Sequence, residues 1–419
     1  IESAVAAGKD HEAADWLNYL TGSQHSPRIE PAIDYLQGAI DARAGRAGAA
    51  ETAWKEVAAS NDQLYRVRAE LALVDLGVAT GSLTPAQAAD RLEALRFAWR
   101  GDDLEVDILH RLGAFYIEAK NVKAGLNTLA RAVALYPDSP MTPSIRIEME
   151  HVLHDVFLGN LGKNLSPLDE LALYQQYGPL MPRGKDGITI MHDLAERLVA
   201  VDLLDPAVDI LDDLAKNRLQ GIERDKVALQ LAGIQLLDHK PGDALDALGY
   251  VGGSDPLTPK MKNEEILLHA RALSGQKHPT KALALLQGNT SKGAQMLRAD
   301  IAMHNQDWPG AATALMSLVG PPPTNGTSLS SDQVNWLLHA AIAYALIDDQ
   351  PDLDKLAIDY GKAMSVTPQK DTFMMLTQPQ KTGQLRDLAA AEAQISQVDM
   401  FQSFLNAYRT IPDAQTKKP

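Results

Sequence analysis

Two histidines and an aspartate have the spacing that comes closest to a metal site in this sequence. His151, His154 and Asp155 occur in the segment EMEHVLHD, and histidines three residues apart share one face of a helix. A zinc site also needs a third ligand and supporting residues around it, and no HExxH pattern is present. Two interpretations stay open: a metal site, or the ordinary surface and capping histidines that we favour.

A second candidate is a cluster of five aspartates in the segment VDLLDPAVDILDDLA. Its members are Asp202, Asp205, Asp209, Asp212 and Asp213. Several share a helix face, and Asp205 precedes Pro206, which suits a helix start. A calcium-binding loop would need a central glycine among its aspartates, and none occurs here. We expect a solvated helix face with a cap, with a calcium site as the alternative.

The composition excludes several classes of function. The chain of 419 residues has no cysteine, which excludes disulfides, Cys-ligated zinc and thiol catalysis. The patterns GxSxG, GxxxxGK[ST] and strand-linked GxGxxG are missing, so we expect no enzyme activity and no cofactor. The 39 basic and 54 acidic residues give a net charge of −15, which disfavours nucleic acid and anionic membranes and favours a basic partner. No apolar stretch is long enough to insert into a membrane.

The segment LRFAWRGDDLE (95–105) gathers two aromatic residues, arginines and aspartates around one glycine. Gly101 suits the left-handed end of a helix near Trp99, and Asp102 or Asp103 suits the cap of the next helix. In this interpretation Phe97 and Trp99 pack and Arg100 pairs with a carboxylate. In the alternative, Trp99 and Arg100 form the edge of a ligand site.

The sequence predicts that these residues lie on helices arranged in pairs. Apolar residues recur at three- and four-residue spacing almost throughout, and alanine and leucine dominate. Two small residues twelve apart, followed by a large apolar residue four later, recur along the chain. They are Gly38, Ala50 and Trp54; Gly113, Gly125 and Leu129; Ala195, Ala207 and Leu211; Ala232, Ala244 and Leu248; Ala270, Ala282 and Leu286; Ala299, Ala311 and Leu315. This spacing predicts antiparallel hairpins that cross closely at the small residues.

Residues 107–140 resemble a tetratricopeptide repeat (TPR), a helix pair of about 34 residues. Its signature places hold Leu109, Leu112, Gly113, Tyr116, Leu129, Ala132 and Pro137. Gly125 stands where the family usually has alanine, and Leu109 replaces its tryptophan. Units at 188–221, 225–253, 263–289 and 292–320 match less well. Stretches such as RLEALRFAWRGDDLE are similar to large, mostly uncharacterised bacterial TPR proteins. That resemblance implies a periplasmic or envelope location, with the cytoplasm as the alternative.

The predicted fold is therefore an all-α solenoid, a right-handed superhelix of TPR-like hairpins. Residues 1–158 form a first array, 159–189 an irregular insertion, and 190–320 a second array. Residues 321–412 form C-terminal helices, and 413–419 a disordered tail. One face of the last helix carries Leu385, Leu388, Ile395, Val398, Phe401, Phe404, Leu405 and Tyr408. We expect it to cap the array, with a partner-binding helix as the alternative.

This architecture predicts a non-enzymatic scaffold that binds a peptide or helix of a partner protein on its concave face. The first helix of each pair lines that face. Arg111, Arg197 and Gln230 are predicted to be exposed there, with Trp99 and Arg100 as further candidate contacts. The alternative is a ligand-binding or polysaccharide-associated module of an envelope pathway, which would need aromatic platforms. The start IESAVAAGKD has no initiator methionine or signal peptide and suggests a cleaved product or a piece of a longer protein.

Overall fold

The computed structural model describes residues 1–22, 26–252, 256–323 and 328–377 of the chain. Within these ranges the protein is all-helical, with 21 α-helices and no strand. The chain divides into two compact units, the first comprising residues 1–186 and the second starting at Gly187. None of the described helices combines the length and apolar character that a membrane span requires.

The first unit holds ten helices. They are α1 (Glu2–Ala6), α2 (Asp10–Thr21), α3 (Glu30–Arg43), α4 (Ala47–Ala58), α5 (Gln63–Ala79), α6 (Pro85–Leu95), α7 (Asp103–Glu118), α8 (Val122–Leu135), α9 (Thr142–Leu158) and α10 (Pro167–Gln176). Several begin at side-chain caps; at α6, Thr84 and Gln87 form a capping box.

The second unit holds the other eleven, and the unit boundary lies in the first turn of α11. They are α11 (Gly184–Ala200), α12 (Leu204–Asp213), α13 (Gly221–Leu237), α14 (Pro241–Leu248), α15 (Pro259–Gly275), α16 (Pro279–Leu286), α17 (Lys292–His304), α18 (Trp308–Val319), α19 (Ser331–Leu346), α20 (Gln350–Met364) and α21 (Lys370–Thr377). A π-helical turn, Leu214–Arg218, extends α12.

The same three-residue turn joins the two helices of eight hairpins among the described residues. Its middle residue always has a positive φ between 54° and 75°, the left-handed region: Gly8, Gly45, Lys120, Asp202, His239, Lys277, Gln306 and Asp348. The next residue donates its N–H to the carbonyl five positions earlier, as Asn121 does to Tyr116 at 2.8 Å. This pairing closes a Schellman motif, which satisfies carbonyls at the helix end. The repeat is therefore visible in the backbone even where the residue type varies.

Helices of a hairpin pack closely where small residues face each other. A Cβ atom at Gly113 would lie 2.6 Å from Cδ2 of Leu129, and one at Gly125 would lie 2.8 Å from the carbonyl oxygen of Gly113. The small residues of the other five triples are likewise buried. First helices of successive hairpins also pack on one another, as α13 does on α15 and α15 on α17.

The joint at residues 95–105 differs in part from its prediction. Helix α6 ends at Leu95, earlier than the expected end near Trp99. The predicted packing role of Phe97 is wrong, because its side chain is 60% exposed and lies beside the guanidinium groups of Arg96 and Arg100. Arginine stacked on the ring face stabilises such an exposed position. The amphipathic segment 385–408 lies outside the described residues.

Candidate functional site

The first helices of the N-terminal unit carry a network of charged side chains. On α7, the Arg111 guanidinium pairs with the carboxylate of Asp75 on α5 and, through Nε at 3.1 Å, with Asp107 one turn earlier on its own helix. Next to it, His110 Nε2 lies 2.6 Å from Glu148 Oε2 on α9. Ion pairs thus connect the three helices α5, α7 and α9.

A cleft of about 350 Å³ lies on this face. Side chains of α3, α5 and α7 line it: Tyr35, Arg68, Leu71, Ala72, Asp75, Asp103, Leu104, Asp107 and Arg111. At its rim, Arg68 Nη1 pairs with Glu2 of α1 at 2.8 Å. The lining of the cleft combines charged side chains of α5 and α7 with the apolar residues Leu71, Ala72 and Leu104.

The electrostatics of the network follow from partial burial. Burial raises the pKa of Asp107, so the carboxylate is poorly solvated although Arg111 lies beside it. The hydrogen bond to Glu148 raises the pKa of His110, which favours the protonated imidazole. Asp107 interacts with two cations, Arg111 and the neighbouring His110, and Arg111 is held by two carboxylates.

The candidate contacts Trp99 and Arg100 lie at the joint outside this cleft. Trp99 is half-buried, and its Nε1 donates to Asp102 Oδ1 at 2.8 Å. Asp102 also accepts from the backbone N–H of Leu104 and caps α7. The backbone N–H of Gly101, at φ +105°, donates to Glu105 at 2.8 Å. Trp99 therefore has the contacts of a structural joint, while the exposed Arg100 lies over the Phe97 ring.

The two histidines of α9 do not assemble a metal centre. His151 and His154 are exposed and line a separate cleft of about 790 Å³ with Glu150, Arg183 and the apolar residues 179–182. Nε2 of His154 is 4.0 Å from Asp186, and Asp155 accepts from the backbone N–H of Asn160. In the described ranges, three potential metal-ligand atoms converge only at His192, Asp193 and Glu196.

The aspartate cluster belongs to α12 and its ends, where most of its members have partners. Asp205 pairs with Lys240 at 2.6 Å, Asp212 with Lys216 at 2.7 Å, and Asp213 with Arg218 at 2.7 Å. Asp202 occupies the left-handed position of a hairpin turn, and Asp209 is exposed. These pairs and turns account for the cluster without a bound ion.

In the second unit, the candidates Arg197 and Gln230 lie on α11 and α13, and both are half-buried. Gln230 interacts with the imidazole of His192 and contributes to the rise in its pKa. The neighbouring Asp193 raises the pKa of His192. A further pair, Arg271 with the fully buried Asp300 at 3.0 Å, connects α15 to α17. Polar contacts between successive first helices therefore occur in both units.

Sequence reasoning did not find Tyr35, Asp75, Asp107, His110 or Glu148. One signal was available, because paired charges lie about one repeat apart: 36 residues for Asp75 and Arg111, and 38 for His110 and Glu148. No protein-family model matches this chain, and a search of curated proteins found no match.

Proposed function

We propose that this protein is a non-enzymatic interaction scaffold, a TPR-like right-handed solenoid in the bacterial envelope, and that it binds a segment of a partner protein along its first helices. The cleft across α3, α5 and α7 is the observation that carries the proposal. It is formed by three consecutive hairpins, and so it depends on the repeated architecture itself.

The dimensions of the cleft favour a peptide segment as the ligand. Packed helices lie about 8–10 Å apart, so three neighbouring first helices extend over roughly 20 Å. An extended peptide covers this distance with about six residues at roughly 3.3 Å each. Contacts would be distributed over several shallow positions, in which the half-buried Ala72 and Leu104 offer apolar surface.

The charges of the cleft favour a basic segment. Asp75, Asp103 and Asp107 face Arg68 and Arg111, and Arg68 is shared with Glu2 at the rim. Carboxylates thus outnumber guanidinium groups. A lysine or arginine placed near Asp103 and Asp107 would relieve the poorly solvated charge of Asp107 without displacing Arg111.

A polysaccharide-binding module is the second candidate. Sugar rings stack on exposed aromatic faces, and the cleft offers only the half-buried Tyr35. An exposed pair exists on α2, where Trp16 and Tyr19 lie 6.4 Å apart in an edge-to-face arrangement and are 55% and 70% exposed. If this function holds, α2 is the binding surface.

Site-specific photocrosslinking in native cells tests the two candidates. A photoreactive residue at Ala72 reports on the cleft, and one at the exposed Ala94 on α6 is the matched control in the same hairpin. The scaffold predicts a defined protein adduct from position 72 alone. Carbohydrate adducts formed by a third photoreactive residue at the exposed Asn18 of α2, and lost in Trp16→Ala, would instead establish the second candidate.

Removing one charge then tests the role of the carboxylates. Asp107→Asn should weaken capture of that partner by about 5–30-fold, which corresponds to about 1–2 kcal/mol for a partly desolvated pair. Asp90→Asn removes the same charge from the exposed surface of α6 and should have little effect. Equal losses in the two variants would show that net charge, and not the cleft, attracts the partner.

A further inference from the structure

A second polar site lies on α11, in the C-terminal unit. His192, Asp193 and Glu196 place one nitrogen and two carboxylate oxygens within 4.8 Å of one another. His192 Nδ1 lies 3.9 Å from Asp193 Oδ1 and 3.8 Å from Glu196 Oε1. Because His192 and Glu196 are one helical turn apart, the same helix face presents both side chains.

The distances suit a shared ion better than direct hydrogen bonds. A hydrogen bond would need a separation of about 3 Å, and both measured distances are longer. Ligand atoms about 2.0–2.2 Å from a common metal ion lie roughly 3–4 Å from each other, so the site requires only small rotamer adjustments. The two distances to His192 lie in this range, and all three atoms lie within 4.8 Å of one another.

Two carboxylates of this site share one histidine. His192 lies within 3.9 Å of a carboxylate oxygen of both Asp193 and Glu196, and the two carboxylates repel each other. The Glu196 side chain is only 19% exposed, so solvent screens it weakly. With a neutral imidazole the group carries two negative charges, which a divalent cation would neutralise.

The neighbouring helix α13 brings a polar side chain close to the imidazole. Gln230 interacts with His192 and helps to raise the pKa of that ring, after Asp193 and Glu196. Metal-binding histidines usually have an outer polar partner that fixes the orientation of the ring, and Gln230 is suitably placed for this role.

We propose that His192, Asp193 and Glu196 bind a divalent transition-metal ion, Zn²⁺ or Mn²⁺, with Gln230 as the positioning residue behind the imidazole. One nitrogen and two oxygens are a ligand set that both ions accept. Three ligands from the chain leave at least one coordination position for water or for a donor atom of a bound partner. The site lies in the C-terminal unit, so it does not depend on the cleft of the first unit.

Calorimetric titration of the full chain with ZnCl₂, and separately with MnCl₂, tests the proposal. We expect one equivalent of at least one ion to bind, and we expect that binding to disappear in His192→Ala and Glu196→Gln. Gln230→Ala should retain the site with affinity lower by about 10–100-fold. Circular dichroism of the metal-free variants will confirm that they are folded, as expected for half-exposed positions.

The chain has 11 histidines, so a matched control for adventitious binding is essential. The double variant His151→Ala/His154→Ala removes two exposed histidines from α9 and should keep the full equivalent. If the ion is lost in this control and kept in His192→Ala, or if neither metal binds the wild-type chain, the site on α11 does not exist.

Discussion

Replacing Gly125 by alanine probes a close helix crossing in the first unit. The added Cβ would lie 2.5 Å from Cγ1 of Ile117 and 2.8 Å from the carbonyl oxygen of Gly113. The isoleucine can change rotamer, but the backbone oxygen retreats only if α7 moves away from α8. Overpacking of this kind costs about 1–3 kcal/mol, whereas glycine to alanine in an unobstructed helix gains about 0.5–1 kcal/mol. The net free energy of unfolding should therefore fall by about 0.5–2 kcal/mol.

Gly48→Ala is the matched control, because Gly48 lies in α4 of the same unit and a Cβ there meets nothing within 4 Å. This variant should be unchanged or up to about 1 kcal/mol more stable. Urea titrations followed by circular dichroism give both values. If Gly125→Ala proves as stable as Gly48→Ala, the two helices do not approach as closely as the hairpin geometry requires, and the same reasoning fails for the other crossings.

Three further predictions concern the turns, the second unit and pH. Lys277→Gly relieves a left-handed backbone at φ +63° and should raise the free energy of unfolding by up to about 1 kcal/mol. Gly45→Ala, at φ +75°, should lower it by about 1 kcal/mol. Denaturant titrations should therefore give changes of opposite sign for the two variants. Ala207→Leu enlarges a fully buried side chain and should cost about 1–3 kcal/mol, so an unchanged melting temperature would refute the predicted crossing. Glu148 raises the pKa of His110, so their pair contributes its full stabilisation below the unfolded pKa of about 6.5 and loses it as pH rises through the folded pKa. Glu148→Gln should therefore flatten this part of the curve of unfolding free energy against pH. An identical curve in the variant would contradict the assignment.

Helical periodicity and composition are enough to predict the all-helical fold. They do not predict the hairpin turns, because the left-handed position holds lysine, aspartate, histidine or glutamine as well as glycine. A residue other than glycine tolerates this conformation at a modest cost, since the helix end and the following pair of hydrogen bonds impose it. A search for glycine therefore finds only two of the eight turns, those at Gly8 and Gly45.

The ion pairs between first helices were harder to predict than the helices themselves, because they depend on how the helices pack. Periodicity places Arg111 on the first-helix surface, and the i, i+4 spacing from Asp107 suggests one ion pair. The second partner, Asp75, depends on how α5 is rotated against α7, which spacing within one helix does not determine. At the second site, His192 and Glu196 also have i, i+4 spacing, yet the contribution of Gln230 becomes visible only when α13 is placed beside α11.

Because charged side chains pair between first helices, the net charge of the chain explains little about how a partner would be attracted. Arg111 and Asp75 neutralise each other across two hairpins, as Arg271 and Asp300 do in the second unit. Such pairs align neighbouring helices, but they offer little unbalanced charge to a partner. Long-range attraction by a charge of −15 fades beyond about 8–10 Å at ordinary salt. In the proposed function, selectivity for one basic segment over another would come from the carboxylates of the cleft, among them Asp107, whose pKa is raised by burial.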